Sequence, residues 1–249
     1  MSVTASLVGA LVATAVLAAL HLSAPHLRRL PLVPERRMAS FAGGIAVSYV
    51  FLHLLPEIAA GNEAIGEALH DVIEPTPLLE LAVFGVALTG FTVFYGLERL
   101  AARTAHEPGA GVYWVHLGAF MVYNGLITYT MALRIRTGLS FAILFTVAMG
   151  LHFVLTDRGL SQRYPRRFRH SGRLLLTGAL VAGWVASVLL APTSTLVVSL
   201  LTALLGGAVL LNVVKEEVPS ERRGSFGWFA AGLVIYGVLL LGVTVLGAE

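Results

Sequence analysis

The chain has 249 residues, of which 57% are hydrophobic and 12% charged, with a formal net charge of +3 and no cysteine. A soluble domain carries about 25% charged residues, so this composition argues against a soluble protein. The lack of cysteine excludes disulfides and thiolate metal ligands. The basic residues lie in short connections, where they set membrane orientation and do not indicate nucleic-acid binding.

Eight apolar runs follow one another along the chain, separated by segments that hold most of the charge. Each has about the 20 residues that cross a bilayer as a helix. Runs 1 to 8 lie at residues 5–23, 39–58, 77–97, 112–133, 138–156, 173–191, 194–214 and 226–247. Run 1 has no Lys or Arg before it and is too long for a signal peptide. We therefore predict an all-α integral membrane protein with eight transmembrane helices in one transmembrane domain, residues 1–249.

The basic residues predict which side of the membrane each connection faces. Of the 17 Lys and Arg residues, 15 lie in the first, third, fifth and seventh connections, and 2, Arg134 and Arg136, lie in the fourth. The second connection has acidic residues and no Lys or Arg. Connections rich in Lys and Arg stay in the cytoplasm. We therefore expect the odd-numbered connections inside and both termini outside.

Run 2 ends in His53 and Glu57, which are four residues apart and share one helical face. An imidazole and a carboxylate on one face can bind a divalent cation together. Pro56 has no N–H, so the carbonyl of Leu52 loses its helical donor and becomes a further oxygen ligand or a kink point. The alternative is that both side chains only reach water at the outer interface.

Runs 4 and 5 place Asn124 and His152 at similar depth near the middle of the membrane. Ionisable and polar groups at this depth usually face the bundle interior and mark a function. Both side chains can ligate a metal, although an amide often bonds only a neighbouring helix and a lone buried histidine is often a hydrogen-bonded core residue. Thr156 and Asp157 follow on run 5, and Asp157 has the alternative of a cytoplasmic ion pair with Arg158.

Run 7 offers Asn212 and Glu216 on one helical face. Lys215 beside them lies near the helix end, where we expect its ammonium to reach water. At the start of run 4, we expect His116 at the membrane interface. The sequence contains no H-E-x-x-H, no G-x-S-x-G and no phosphate-binding glycine loop, so it does not predict an enzyme.

An internal repeat relates run 2 to run 7. The stretches GGIAVSYVFLHLLPE and GGAVLLNVVKEEVPS, residues 43–57 and 206–220, share a glycine pair, an ionisable residue ten positions on and a proline three positions later. The charge distribution orients the two runs oppositely across the membrane. Such inverted repeats place a site near the bilayer midplane. The alternative is chance, since glycine pairs and prolines are common in membrane helices.

The repeat predicts a 3+2+3 division of the chain. Helices 1–3, within 5–97, would mirror helices 6–8, within 173–247, and helices 4–5, within 112–156, would lie between them.

The two repeated stretches resemble a known family. S-F-A-G-G-I-A-V-S-Y-V-F-L-H-L-L-P-E is similar to the second helix of the ZIP family of divalent-metal transporters, which has a Gly-rich stretch followed by H-L-L-P-E. L-L-G-G-A-V-L-L-N-V-V-K-E-E-V-P resembles the family's seventh helix. The resemblance implies eight helices, outside termini and a 3+2+3 inverted repeat, which match the expectations above.

Runs 4 and 5 depart from the metal-binding motifs of that family. The fourth helix of the family carries H-N-x-x-D/E-G, and the matching stretch here is F-M-V-Y-N-G, in which Phe120, Met121 and Asn124 replace the ligands. The fifth helix carries H-E-x-P-E, and here H-F-V-L-T-D keeps His152 but has Phe153 at the first acid. Thr156 replaces the second acid. The resemblance thus implies a diverged member whose two-metal centre is degenerate.

We expect a ZIP-like transporter that moves a divalent metal cation, zinc or iron, by alternating access, in the cytoplasmic membrane of a prokaryote. The metal would be cargo, with no other cofactor; the lipid bilayer and a second copy in a homodimer are the remaining expected partners. The residues expected to bind the metal along its path are His53, Glu57, Asn124, His152, Thr156, Asp157, Asn212 and Glu216. Two alternatives stay open: a non-transporting sensor or assembly protein, and a transporter of a proton or small solute.

Overall fold

The computed structural model describes residues 2–27, 35–69, 81–102, 110–190, 195–218 and 224–246. These residues form helices and no strand, and eight of the helices are long and apolar enough to cross a membrane. The predicted all-helical class and the eight candidate spans are therefore confirmed for this part of the chain.

Eight helices, α1 to α8, correspond to runs 1 to 8. Helix α2 contains a π-helical turn, Val50–Leu54, between the segments Glu35–Tyr49 and Leu55–Leu69. A second π-helical turn, Val213–Glu217, ends α7, and a third, Phe168–Gly172, precedes α6. The remaining bounds are α1 Val3–Leu27, α3 Ala82–Ala102, α4 Ala110–Thr137, α5 Leu139–Arg163, α6 Arg173–Leu190, α7 Thr195–Asn212 and α8 Phe226–Leu246.

Several helices extend beyond their apolar runs and carry charged residues inside the bundle. Helix α4 continues to Thr137, so the placement of Arg134 and Arg136 in a connection is wrong. Helix α3 includes Glu98, and α5 continues for seven residues past run 5, to Arg163. A hydropathy pattern stops at a charge, whereas the backbone hydrogen-bond ladder continues wherever the charged side chain finds a partner.

The described helices pack into two groups of four. In the first bundle, α1 contacts α4, α5 and α6, and α4 also packs along α6. In the second bundle, α2 packs along α8, α3 packs along α7, and α2 contacts α7. Contacts of α2 with α5 and of α3 with α4 join the bundles. The interface between the bundles holds the site described below.

Helices α2 and α8 approach each other closely through two glycines. A Cβ added to Gly44 would overlap the carbonyl oxygen of Phe229, and one added to Gly232 would overlap that of Phe41. Each glycine therefore meets the carbonyl three residues before the opposite glycine. Such close backbone approach is typical of small residues in membrane helices, where packing drives association.

Helices α3 and α7 make the same contact at another place in the second bundle. A Cβ on Gly207 would overlap the carbonyl oxygen of Ala87, and one on Gly90 would overlap that of Leu204. The offset of three residues is the same as between α2 and α8. The two contacts are thus equivalent in register as well as in residue type.

The π-helical turns of α2 and α7 also occupy equivalent places, each beginning six residues after the contact glycine, Gly44 or Gly207. In α2 the N–H of Leu55 donates to the carbonyl five residues back, and Pro56 follows. In α7 the N–H of Val218 likewise donates across five residues, at 3.1 Å. A proline cannot donate to the carbonyl four residues back, so the wider turn absorbs the lost hydrogen bond in α2. The matching Pro219 lies outside the described residues.

Candidate functional site between the two bundles

A cavity of about 290 Å³ lies between the bundles. It is found where α3, α5 and α7 end and α4 begins, next to the third, fifth and seventh connections, which the sequence predicts to be cytoplasmic. Its lining residues are Glu98, His116, Phe120, Leu155, Thr156, Gly159, Leu160, Gln162, Arg163 and Asn212. Both bundles therefore contribute to its wall.

Glu98 is the acidic group in this wall, and its carboxylate is 8% exposed. Its Oε1 lies 2.8 Å from Nε2 of His116. Its Oε2 accepts a hydrogen bond from the ammonium of Lys215 and lies 3.6 Å from the guanidinium of Arg163. Two positive side chains therefore surround one carboxylate. Sequence analysis missed Glu98 because the apolar run ends one residue before it.

His116 is held between Glu98 and Tyr164. The Tyr164 hydroxyl lies 3.0 Å from Nδ1 of His116. Burial raises the pKa of that hydroxyl above its usual value, so it stays neutral and can donate to the ring. His116 is only 2% exposed, so the expectation that it lies at the membrane interface is wrong. The carboxylate and the hydroxyl give its ring two polar neighbours inside the protein.

His152, Thr156 and Asn212 meet at the inner end of the cavity. The Nδ2 of Asn212 lies 3.4 Å from Nε2 of His152, and the Thr156 hydroxyl lies 3.5 Å from the same nitrogen. The structure thus brings three of the predicted residues together from α5 and α7. The space around His152 is also lined by Phe120 and Asn212, and this space has no room for a water molecule. Phe120 therefore forms part of a floor that separates His152 from the cavity.

Asn124 and Asp157 belong to a second polar network, centred on His21 of α1. Nδ1 of His21 lies 3.0 Å from the Asp157 carboxylate, and its Nε2 lies 2.9 Å from Nδ2 of Asn124. In this arrangement the Nδ1–H donates to Asp157, and Nε2 accepts from the amide. Arg173 of α6 faces Asp157 at 3.8 Å, and Phe153 stacks on the His21 ring. The network therefore unites all four helices of the first bundle.

His21 is the residue in that network that sequence analysis missed. It is an ionisable group inside run 1, which is the signal that the other candidate residues also carry. All three central side chains, His21, Asn124 and Asp157, are 1–2% exposed. Asp157 is thus a buried group and not a cytoplasmic surface charge.

His53 and Glu57 lie at the opposite end of the bundle interface. Nε2 of His53 is 3.8 Å from Glu57, so the predicted shared face is confirmed. Both Glu57 oxygens also lie 2.7 Å from one nitrogen of Arg134 on α4. The Arg134 guanidinium stacks over the Phe145 ring at 4.5 Å. A cationic side chain therefore already compensates the charge of Glu57.

Between the two ends the path is nearly closed. Beside Arg134, Tyr123 and Val209 there is a void of about 20 Å³, enough for about one water molecule. The tight space around His152 lies between this void and the cavity. Among the described residues, the cavity thus does not continue to the Glu57–Arg134 pair at the other end of the interface.

The predicted metal ligands do not form one cluster in the described part of the chain. Among the described residues, no group of three or more His, Asp or Glu side chains could hold a metal ion. Each acidic side chain that the structure describes faces Arg or Lys, in the pairs Glu57–Arg134, Glu98–Lys215 and Asp157–Arg173. The side chain of Glu216 lies outside what the structure describes, so its role stays a prediction.

In comparisons with known proteins, no protein-family model matches this sequence and no curated protein matches it. The resemblance to the ZIP family therefore stays a prediction that rests on the residues quoted above.

Proposed function

We propose that this protein is a membrane transporter of ZIP-like architecture, which moves a small solute through the space between its two bundles by alternating access. The observation that carries the proposal is the 290 Å³ cavity between the bundles, with Glu57 and Arg134 closing the opposite end. Transporters place their substrate site at the interface of two repeats or bundles, with one side open at a time.

Two structural equivalences support a 3+2+3 inverted repeat. Exchanging α2 with α7 and α3 with α8 maps the Gly44–Gly232 contact onto the Gly207–Gly90 contact, with the same offset of three residues. The same exchange maps the π-helical turn Val50–Leu54 onto Val213–Glu217. Helix partners and hydrogen-bond defects are separate features, so the two correspondences support the repeat independently of the sequence match.

The distribution of contacts supports movement of one bundle against the other. The glycine contacts inside the second bundle bring backbones together and resist sliding. The contacts between bundles include longer polar side chains, such as Glu57 with Arg134 and Glu98 with Arg163. Such pairs can separate and exchange partners when the bundles shift, so they are suited to open one end and close the other.

The charges along the path favour a small solute over a bare divalent cation. A divalent cation needs carboxylates or several neutral donors to replace its hydration shell. The described carboxylates here are already compensated by Arg or Lys side chains. A cation that enters the cavity would also face the guanidinium of Arg163.

A divalent cation such as zinc or iron remains the second candidate cargo, because His152, Thr156 and Asn212 converge near the midpoint of the path. If zinc binds there, His152→Ala should abolish binding of zinc measured by calorimetry. Ser23→Ala should not, because that hydroxyl bonds only within its own helix. Zinc binding that persists in His152→Ala would exclude this site.

The transporter proposal is tested with a single cysteine, since the native chain has none. Val209 lines both the small void and the tight space around His152. In oriented proteoliposomes, we expect a membrane-impermeant thiol reagent to label Val209→Cys from both faces, because alternating access exposes this point to each side in turn.

Gly159→Cys provides the control, because Gly159 lines the cavity and a Cβ there meets no atom within 4 Å. It should label mainly from the cavity side. Labelling of Gly159→Cys without labelling of Val209→Cys from the far side would instead support a non-transporting membrane protein. We further propose that both termini lie outside, which the distribution of basic residues supports. The cytoplasmic membrane of a prokaryote is the location that we propose for the protein.

A further inference from the structure

The wall of the cavity is rich in hydrogen-bond donors. Among the described side chains it has one cation, Arg163, and one carboxylate, Glu98, and Lys215, which binds Glu98 from outside the lining, adds a second positive charge. Lys215 binds Glu98 directly and neutralises it, whereas Arg163 stands 3.6 Å away, beyond hydrogen-bond distance. The Arg163 guanidinium lines the cavity, together with the Gln162 and Asn212 amides. The Arg163 guanidinium carries five N–H donors, and the one carboxylate that it faces, Glu98, is shared with Lys215 and His116. The wall therefore has donor capacity for a second anion.

The cavity is small, and its remaining lining is apolar apart from His116 and Thr156. Phe120 forms the floor, and Leu155 and Leu160 line the side contributed by α5. The volume of about 290 Å³ lies at the lower limit of pockets that bind small molecules. It corresponds to roughly ten water molecules at about 30 Å³ each. The ligand that fits has a charged head at Arg163 and a short carbon chain toward Phe120.

We propose that this cavity binds a small organic carboxylate, with its carboxylate at Arg163 and its aliphatic chain against Phe120, and that such anions are the cargo. The guanidinium matches a carboxylate through paired N–H groups, which gives orientation as well as affinity. The inference rests on the proposed function for the movement of the anion, but binding can be measured without transport.

The first experiment uses Gly159→Cys in detergent and measures its rate of reaction with a thiol reagent. Butyrate should slow the reaction at millimolar concentrations. Butanamide and butylammonium have similar shape but lack the negative charge, and should not slow it. Equal protection by all three compounds, or by none of them, would overturn the proposal.

Two substitutions should then move the affinity for butyrate in opposite directions. Arg163→Gln removes the paired donor and should weaken butyrate binding about tenfold or more. Glu98→Gln removes the competing negative charge and should strengthen it several-fold. A merely structural role of these residues would weaken binding in both variants, and that outcome would contradict the proposal. Arg136→Gln, on the exposed surface of α4, serves as the matched charge control and should leave the affinity unchanged.

A third variant tests the placement of the aliphatic chain without changing charge. Phe120→Ala deepens the cavity, so hexanoate should gain affinity relative to butyrate by about tenfold, roughly what two further buried methylene groups supply. An unchanged chain-length preference would place the ligand elsewhere.

Failure of this inference and failure of the proposed function give different results. If butyrate protects Gly159→Cys but Val209→Cys never labels from the far face, the anion site exists and transport is excluded. If Val209→Cys labels from both faces and no carboxylate protects Gly159→Cys, the protein still alternates and its cargo is not an organic anion.

Discussion

At the scale of single residues, charged and polar groups inside the bundle are held by partners on other helices. Arg134 binds Glu57, Lys215 binds Glu98, and His21 binds Asp157. An isolated charge inside a membrane protein costs several kcal/mol, so each of these side chains depends on a residue far away in the chain. Sequence spacing shows that His53 and Glu57 share a face, but it does not show that Arg134 reaches the same carboxylate.

The Glu57–Arg134 pair gives a prediction about stability. Arg134→Gln leaves the partly buried Glu57 carboxylate without its cation and should cost about 1–3 kcal/mol, seen as a lower melting temperature in detergent. Arg136→Gln on the same helix should have little effect because that side chain is exposed. If the two variants have equal melting temperatures, the pair does not stabilise this end of the bundle interface. The double variant Glu57→Gln with Arg134→Gln should recover part of the loss, because neither charge is left alone.

The His21 network gives a second prediction. His21→Leu removes the ring that bonds both Asp157 and Asn124, so two buried polar groups lose a partner. We expect a loss of about 2–4 kcal/mol in the free energy of unfolding. Ser23→Ala, two residues along, removes only a hydroxyl bonded within its own helix, and should change stability by less than about 0.5 kcal/mol. Equal melting temperatures for the two variants would show that the network adds no stability.

At the scale of helices, the second bundle is held by two equivalent glycine contacts. The sequence showed the repeated glycine pairs of α2 and α7, because they stand in similar stretches. The partner glycines, Gly90 on α3 and Gly232 on α8, carry no comparable signal in their surroundings. Gly96 also lies on α3, but a Cβ added there would have no atom within 4 Å. Only the packing distinguishes a contact glycine from an open one.

A matched pair on α3 tests this distinction. Gly90→Ala would place a methyl group against the Leu204 backbone of α7, so the helices must move apart, at a cost of about 1–3 kcal/mol or more. Gly96→Ala has open space and should be neutral or stabilising by up to about 1 kcal/mol from helix propensity. Thermal unfolding in detergent measures both. If Gly90→Ala leaves the melting temperature unchanged, α3 and α7 pack less closely at this contact than the structure shows.

At the scale of the whole molecule, the two bundles and the cavity between them are the features that bear on function. The order of helices along the chain does not follow the bundles, since α1 joins α4, α5 and α6 while α2 and α3 join α7 and α8. If the proposed repeats have opposite orientation in the membrane, they can let a cavity at their interface open to each side in turn.

Opposite orientation is tested by labelling in intact cells. Ser2 precedes α1 and Ser171 precedes α6, so five membrane crossings separate them if each of α1 to α5 spans the bilayer. Single cysteines at these positions should react oppositely with an impermeant reagent, with Ser2→Cys accessible outside and Ser171→Cys protected. Reaction of both cysteines from the same side would contradict the proposed topology and the inverted repeat.

The sequence by itself determined the class of the protein and the approximate position of its helices. The cost of burying unpaired backbone groups in lipid leaves long apolar runs no alternative to helices, so composition and run length suffice. It also showed Pro56, His53, Glu57, His152 and Asn212 as residues of interest, since polar groups in such runs are rare.

The tertiary structure alone decided which polar groups meet. Asn124 and Asp157 turn toward His21 of α1, whereas His152 turns toward Asn212 of α7. Helical periodicity gives the face of one helix, but the partner of that face depends on how eight helices pack in three dimensions. For the same reason the compensation of Glu98 by Lys215, 117 residues away in sequence, could be found only in the folded protein.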